Sequence, residues 1–145
     1  MKLFVCSICG HVEYGAAPDF CPVCHASKDN FKQNDALFSE IETKFKDAGN
    51  SHTPEIIVKK KSDLIKEHPC VEVEVRIGKT VHPMEEAHHI RWIDCYADDK
   101  YVSRVMLTLG IMPAATFQLK AGGKKVRIVE VCTVHGHWQA EASLA

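Results

Sequence analysis

The sequence predicts a mostly β protein that contains a small metal-knuckle domain, a connecting helix and an antiparallel β-sandwich. Four of its seven cysteines lie within the first 24 residues as two C-x2-C pairs. A short segment with apolar residues at helical spacing follows them. The remainder of the chain alternates apolar and polar residues in about seven short segments, which is typical of a β-sandwich.

The first domain, residues 1–35, needs a metal to fold. A segment below about 40 residues seldom buries enough apolar surface to offset its chain entropy. Its cysteines are spaced as Cys6-x2-Cys9 and Cys21-x2-Cys24. Two such pairs predict a tetrahedral four-thiolate site, and zinc and iron fit that site equally well by geometry.

Residues 36–50 form the predicted connecting helix. One apolar stripe recurs at helical spacing and consists of Leu37, Ile41, Phe45 and Ala48. Asp35 is the predicted N-cap of this helix, and Gly49-Asn50 is its predicted end. The stripe indicates that the helix packs against a neighbouring element.

Residues 51–145 form the predicted β-sandwich. The clearest strand alternates valine or isoleucine with polar residues from Val71 to Ile77. This period of two is the signature of a half-buried strand. The predicted strands are 56–60, 71–77, 90–96, 101–107, 116–120, 124–131 and 138–142.

Charge and cysteine usage predict the compartment. The formal net charge is −1, which favours neither nucleic acid nor an anionic membrane as a partner. No apolar run approaches the roughly 20 residues of a spanning helix, and residues 1–6 turn polar too soon for a secretory signal. We therefore expect a cytoplasmic protein whose cysteines bind metal instead of forming disulfides.

A second group of histidines and cysteine lies in the sandwich. His82 and His88 flank a Pro-Met-Glu-Glu-Ala segment, Cys132 and His135 are three residues apart, and His52 precedes them all. Four imidazoles and one thiolate would leave one position open on a five-coordinate metal. Zinc prefers four ligands, so this donor set favours iron.

The first domain resembles rubredoxin, in particular its short-loop variety. The resemblance rests on Cys6-x2-Cys9-Gly10 with Tyr14-Gly15, and on Cys21-Pro22-Val23-Cys24 followed by Lys28 and Phe31. It implies an electron-transfer iron at the four cysteines, with a structural zinc as the alternative. His25 stands where rubredoxins usually carry glycine, and histidine tolerates that backbone conformation better than most residues.

Residues 50–145 resemble superoxide reductase, the family of desulfoferrodoxin and neelaredoxin. Both hallmarks are present: H-P-M-E-E-x-H-x-I from residue 82 and C-x2-H-G-x-W from residue 132. The resemblance implies an immunoglobulin-like sandwich and a homodimer or homotetramer. It also implies a five-ligand iron site, with Cys132 as the axial ligand and four equatorial ligands: His52, His82, His88 and His135.

The same resemblance implies a reaction and its partners. Superoxide is reduced to hydrogen peroxide at the histidine–cysteine iron. That iron is then re-reduced through the four-cysteine iron by an electron-donor protein, such as a rubredoxin or its reductase. The alternatives are an electron carrier without superoxide turnover and a zinc-stapled structural module.

One departure concerns the residues before the first histidine. The family commonly has a Glu-Lys pair there, whose lysine draws in superoxide and assists protonation and whose glutamate can bind the oxidised iron. This chain has Asn50-Ser51 instead. Another lysine would have to supply the positive charge. The candidates are Lys59, Lys60, Lys61 and Lys79.

The remaining histidines and cysteines are predicted to have no ligand role. His89 should face away from His88, and His137 should lie at the surface or behind the ligands. Three histidines are predicted to be exposed turn residues: His11, His25 and His68. Cys70 and Cys95 lie in or beside strand patterns and are predicted to be small apolar residues. Met84 and Trp138 are predicted to pack around the metal, and Glu85 and Glu86 to lie in a solvated loop.

Overall fold

The structure describes residues 1–145 and is a computed structural model. It contains ten strands and two short α-helices. The strands are β1 Leu3–Cys6, β2 Val12–Tyr14, β3 Phe31–Gln33, β4 Pro54–Lys59, β5 Cys70–Ile77, β6 Ile90–Ala97, β7 Lys100–Met106, β8 Ala114–Lys120, β9 Lys125–Cys132 and β10 Gly136–Ser143. The helices are α1 Leu37–Lys44 and α2 Gly49–His52.

Seven strands form the predicted antiparallel sandwich. One sheet has the order β10-β9-β6-β7 and the other has the order β4-β5-β8. This division into four and three strands matches an immunoglobulin-like sandwich. Valines of β5, aromatic and leucine side chains of β8 and isoleucines of β6 and β9 form one core between the sheets. All seven strands predicted from alternation are present, with ends that differ by a few residues.

The knuckle domain contains a small sheet that the sequence analysis did not predict. Its strand order is β2-β1-β3, and all pairs are antiparallel. Each of its strands has only three or four residues. An alternating pattern cannot be recognised over so few positions.

The connecting segment differs from the single helix predicted for residues 36–50. The α1 helix ends at Lys44, because Phe45 leaves the helical conformation and packs edge-on against His135 at 4.7 Å between ring centroids. Asp35 does not cap the helix. Its carboxylate accepts hydrogen bonds from the Leu3 N–H at 3.0 Å and from Gln33. Gly49 begins α2 instead of ending α1.

The knuckle domain packs on the outer face of the four-stranded sheet. Leu3 and Val12 of the knuckle domain and Phe38 of α1 form a second apolar cluster with Tyr96 and Val129 of that sheet. The Tyr96 hydroxyl donates to the Val12 carbonyl at 2.7 Å. The two domains therefore share a buried interface. No helix of the protein has the length and apolar character that a bilayer crossing requires.

The prediction that His11 is exposed is wrong. His11 is fully buried in this interface, where its ring stacks on Tyr96 and its Nε2 lies 2.6 Å from a Glu13 carboxylate oxygen. The partner that buries it comes from β6, which is distant in sequence. His25 and His68 are exposed, as predicted.

Two candidate metal centres

The structure brings the four N-terminal cysteines together. The sulfur atoms of Cys6, Cys9, Cys21 and Cys24 all lie within 4.8 Å of one another. Cys6 and Cys24 are 3.7 Å apart, and Cys9 and Cys21 are 3.6 Å apart. Sulfurs placed about 2.3 Å from one ion at tetrahedral angles are about 3.8 Å apart. The cluster therefore fits a four-thiolate metal site.

Each knuckle turns tightly enough to aim peptide N–H groups at its sulfurs. The His11 N–H points at Cys9, and the N–H groups of Val23 and Cys24 point at Cys21. The turns need positive φ after the second cysteine, and Gly10 and His25 have φ of 76° and 65°. Burial raises the pKa of the Cys9 and Cys21 thiols. Without a cation these sulfurs stay protonated, so metal binding releases protons.

A second cluster forms where three loops of the sandwich meet. His52 ends α2, His82 and His88 lie between β5 and β6, and Cys132 and His135 flank the turn from β9 to β10. The His82 N–H donates to the Ile77 carbonyl at the end of β5. Backbone pairing between Thr133 and His89 joins the second loop to the third. Residues that are distant in sequence thus converge at one end of the sandwich.

The five side chains surround one point. The ligand atoms of His52, His88, Cys132 and His135 lie within 4.8 Å of one another. His82 Nε2 completes the group, at 3.1 Å from His52 Nε2 and 3.5 Å from Cys132 Sγ. Two nitrogens that bind one ion at a right angle, each about 2.1 Å from it, are about 3.0 Å apart. The spacing therefore fits a shared metal ion.

The four imidazole rings form a square. Ring centroids of neighbours are 4.5, 4.6, 5.1 and 4.7 Å apart around the square. The diagonal from His52 to His88 is 6.1 Å. Neighbouring rings are steeply inclined to each other, by 64° to 81°. This arrangement directs one nitrogen of each ring towards the centre.

Hydrogen bonds on the outer side fix which nitrogen faces inward. The Nδ1–H of His52 donates to the Ala48 carbonyl at 2.9 Å, and that of His82 donates to the Pro83 carbonyl at 2.7 Å. Their Nε2 atoms therefore act as acceptors. His88 Nε2 is buried and has no hydrogen-bond partner in the protein. Such an orphaned acceptor at the centre of the cluster is what a metal ligand requires.

The local environment keeps the rings in their metal-binding form. Burial lowers the pKa of His82 to about 4 and also lowers the pKa of His52 and His135. Neutral imidazole is the form that binds metal. Burial raises the pKa of the Cys132 thiol, and the Val134 N–H points at its sulfur at 3.4 Å. A cation between them would replace the thiol proton.

Aromatic side chains enclose the cluster, and the neighbouring histidine stays outside it. Trp138 Nε1 donates to the His135 carbonyl at 3.2 Å, and its ring lies 5.1 Å from that of His52. His89 Nδ1 instead hydrogen-bonds the Glu85 carbonyl. Met84 packs against the sandwich core.

His137 was predicted to lie either at the surface or behind the ligands. The structure places it in the interface with the knuckle domain, so the first alternative is wrong. Its Nε2 donates to the Gly10 carbonyl at 2.9 Å, across the interface with the knuckle domain. Sequence reasoning missed this contact, because the two residues are 127 positions apart.

Cys70 and Cys95 stay outside both clusters. Cys95 is buried in the sandwich core, and Cys70 lies 3.6 Å from the Gln118 amide oxygen. Glu85 and Glu86 are exposed, as predicted.

Glu130 is a buried acid that the sequence analysis did not identify. It lies on β9 two residues before Cys132, and neither carboxyl oxygen has a hydrogen-bond partner. Burial raises its pKa well above the usual value. The folded protein therefore keeps this carboxyl protonated at pH values where the unfolded chain has released the proton.

A Glu130→Gln variant should become more stable relative to the wild type as pH rises. Above the usual glutamate pKa of 4.5, the native wild type binds one more proton than the unfolded chain. Its free energy of unfolding therefore falls by up to about 1.4 kcal/mol per pH unit until the native pKa is reached. Glutamine does not titrate. Urea unfolding of the metal-loaded proteins measures this effect. Between pH 5 and pH 7, the free energy of unfolding of the variant relative to the wild type should increase by at least about 1 kcal/mol. Parallel pH profiles would contradict the prediction.

Asn50 and Ser51 hold the backbone beside His52. Asn50 Nδ2 donates to Thr80 Oγ1 at 2.6 Å, and the Thr80 N–H donates to the Asn50 carbonyl at 3.1 Å. Ser51 Oγ lies 3.0 Å from His52 Nδ1. The segment 78–80 therefore packs directly against residues 50–51 at the edge of the second cluster.

The fold and the two clusters define a β protein with two candidate metal sites, one of four thiols and one of histidines and a thiol. The desulfoferrodoxin family model matches residues 44–141, and the rubredoxin-like domain of rubrerythrin matches residues 4–32. The chain belongs to the desulfoferrodoxin family.

Named relatives agree with this membership. Desulfoferrodoxin of Syntrophotalea carbinolica is 31% identical over 144 residues, which cover 97% of this chain and 96% of the relative. Desulfoferrodoxin of Desulfarculus baarsii is 46% identical over 67 residues, but that match spans only 46% of this chain and 51% of the relative. The superoxide reductase of Nanoarchaeum equitans superposes with a TM-score of 0.56 at 29% identity, over 66% of this chain and 94% of that chain.

Proposed function

We propose that the protein reduces superoxide at the histidine–cysteine cluster. Superoxide, one electron and two protons give hydrogen peroxide, and no dioxygen is released. The observation that carries the proposal is the convergence of four imidazoles and one thiol, with His88 Nε2 buried and unpartnered. Membership of the desulfoferrodoxin family supports the same activity, because related proteins are named superoxide reductases.

Iron is the metal that suits this donor set best. Nε2 of His52, His82 and His88, Nδ1 of His135 and the Cys132 sulfur would hold it. Five ligands exceed the four that zinc prefers. When bound there, ferrous iron supplies the electron for the reduction and the positive charge that attracts an anion.

The protein's own residues orient the site and limit access to it. His52, His82 and Cys132 are at most 2% exposed, so solvent does not reach that side. His88 and His135 are partly exposed, and we infer that superoxide approaches there. Asn50 and Ser51 offer no group that titrates near neutral pH, so the protons come from solvent.

The four-cysteine cluster would hold a second iron that re-reduces the first. Four thiolates complete a tetrahedral shell and leave no position for substrate, so only electrons pass through this site. A one-electron donor protein, such as a rubredoxin or its reductase, would supply them. Zinc fits the same four sulfurs, and metal analysis of the purified protein distinguishes a redox site from a structural one.

Pulse radiolysis of the iron-loaded protein tests the proposal. We expect superoxide to disappear far faster than with the same concentration of free iron, with one hydrogen peroxide formed per superoxide and no dioxygen released. A rate no faster than that of free iron would favour an electron carrier. Colourless protein with two zinc ions would end the iron assignment.

Lys79 is the lysine that we propose attracts superoxide. Lys59, Lys60 and Lys61 lie near the far end of β4, about 20 Å along the strand from His52. Lys59 pairs with Glu72 and Glu74, and Lys60 donates to the Leu144 carbonyl. Lys79 is exposed on the 78–80 segment that packs against residues 50–51. Its place on this segment supports the proposal that its charge substitutes for the family's lysine.

A Lys79→Met variant should react with superoxide more slowly at low salt. A unit charge about 6 Å from an anion in water contributes about 0.7 kcal/mol, or about threefold in rate, and salt screens it. We therefore expect a decrease of about threefold at low ionic strength that shrinks towards none at about 1 M salt. Lys61→Met, which removes an equal charge far from the site, is the matched control. Equal rates for both variants at every salt concentration would show that Lys79 has no such role.

Assembly and location stay predictions. We propose a homodimer or homotetramer, which sedimentation analysis measures directly. We also propose a cytoplasmic location, which cell fractionation tests. Co-purification under reducing conditions tests which donor protein binds.

A further inference from the structure

Two carbonyl groups of the first cysteine knuckle are bound by side chains of the sandwich. His137 Nε2 donates to the Gly10 carbonyl at 2.9 Å, and Arg104 Nη1 donates to the Cys9 carbonyl at 2.9 Å. Cys9 is one of the four clustered cysteines. The knuckle therefore contacts the sandwich through the peptide groups that adjoin its metal-binding sulfurs.

His137 is also joined directly to the second cluster. It lies two residues after His135 on β10, where it pairs with Val131, and the preceding Gly136 pairs with Cys132. The backbone thus connects His137 covalently to His135, and strand pairing places its neighbour Gly136 opposite Cys132. From Cys9 to His135 the path consists of covalent bonds interrupted by one hydrogen bond of 2.9 Å.

The surroundings leave little room for this contact to shift. A Cβ atom at Gly10 would lie 2.7 Å from the Trp92 ring, so the knuckle backbone sits directly on that indole. The Arg104 guanidinium lies 4.1 Å from the centroid of the Trp92 ring. It also forms a bidentate pair with buried Asp94 at 2.6 and 2.8 Å. These contacts fix the knuckle backbone at Cys9 and Gly10 against the four-stranded sheet.

We propose that the four-cysteine site passes its electron to the histidine–cysteine site of the same chain through the hydrogen bond between His137 and Gly10. His137 is the positioning residue for this transfer. The proposal rests on the proposed function, because both sites must hold iron. One electron leaves ferrous iron at the four cysteines and reduces ferric iron at the second site. The external donor protein then returns the first site to the ferrous state.

Three variants separate this path from a purely structural contact. His137→Phe keeps an aromatic ring but removes the donor, and His137→Gln keeps an N–H donor on a shorter side chain. Tyr14→Phe is the matched control. It removes another interdomain hydrogen bond, from the Tyr14 hydroxyl to Gln139 at 3.0 Å, which lies off the path between the clusters.

Rapid reduction of the fully oxidised, iron-loaded protein provides the measurement. The transient spectrum follows reoxidation of the four-cysteine iron as the second iron becomes reduced, without superoxide present. We expect a first-order rate constant that does not depend on protein concentration. It should fall several-fold in His137→Phe, recover in part in His137→Gln and stay unchanged in Tyr14→Phe. Equilibrium titration of both sites should give unchanged midpoint potentials, so that the rate change reports the coupling between them.

An unchanged rate constant in His137→Phe would overturn the proposal. So would electron transfer in co-assembled mixtures of Cys24→Ala and Cys132→Ala chains, in which each chain keeps only one site. Superoxide turnover driven by a small chemical reductant is measured separately on each variant. Absence of superoxide turnover in the wild type would contradict the proposed function. The inference concerns only the internal transfer, which the first-order rate constant measures.

Discussion

A Cys132→Ala variant is expected to lose the metal of the histidine–cysteine cluster while keeping the metal of the four-cysteine cluster. Cys132 is the only anionic donor among the five side chains, and its sulfur lies 3.5 Å from His82 Nε2 and 3.7 Å from His135 Nδ1. Loss of even an outer hydrogen-bond partner of a metal ligand weakens binding by about 10–100-fold. Loss of the thiolate itself should weaken iron binding by at least about 100-fold and abolish superoxide reduction.

Metal content and absorption spectra measure this effect after dialysis against a chelator. The variant should retain one equivalent of iron with the spectrum of a four-thiolate site. Cys70→Ala is the control, because it removes a half-buried thiol that lies outside both clusters. Two equivalents of iron in the Cys132→Ala protein would refute the assignment of Cys132 as a ligand.

A Gly78→Ala variant is expected to be strongly destabilised and to bind iron poorly at the second site. A Cβ atom at Gly78 would lie 2.6 Å from both Cα and the carbonyl oxygen of Ser51. Backbone atoms cannot move aside as a flexible side chain can, so the 78–80 segment must separate from residues 50–51. Overpacking of this kind costs about 3 kcal/mol. The displacement also reaches His52, which follows Ser51 directly.

Urea unfolding and iron retention together measure the effect at Gly78. Gly110→Ala provides the control, since no heavy atom lies within 4 Å of a Cβ at that position. We expect the control to remain within about 0.5 kcal/mol of the wild type. Equal stability of the two variants would show that the backbones at positions 51 and 78 are not in contact.

The sandwich could be predicted from the sequence because its strands are long enough to show their period. β5 contains eight residues, with valines and isoleucine on the face towards the core, and alternation over that length is specific. The strands of the knuckle domain are too short for this signal. The early end of α1 could not be predicted either, because it depends on the contact of Phe45 with His135, which is 90 residues away.

The candidate ligands could be found from spacing and resemblance, but their surroundings could not. The groups that fix Nδ1 of His52 and His82 are backbone carbonyls, which carry no sequence signal. His11 was expected at the surface because local sequence cannot show that Tyr96 covers it. Long-range contacts of this kind form only when the domains dock.

The docked face of the four-stranded sheet limits where the chain can be divided. Tyr96 and Val129 are fully buried beneath the knuckle domain, and both point away from the sandwich core. A fragment that starts after residue 35 would leave these apolar side chains bare on a flat surface. It should therefore self-associate and precipitate more readily than the intact chain, so that a soluble minimal fragment would need polar replacements at both positions.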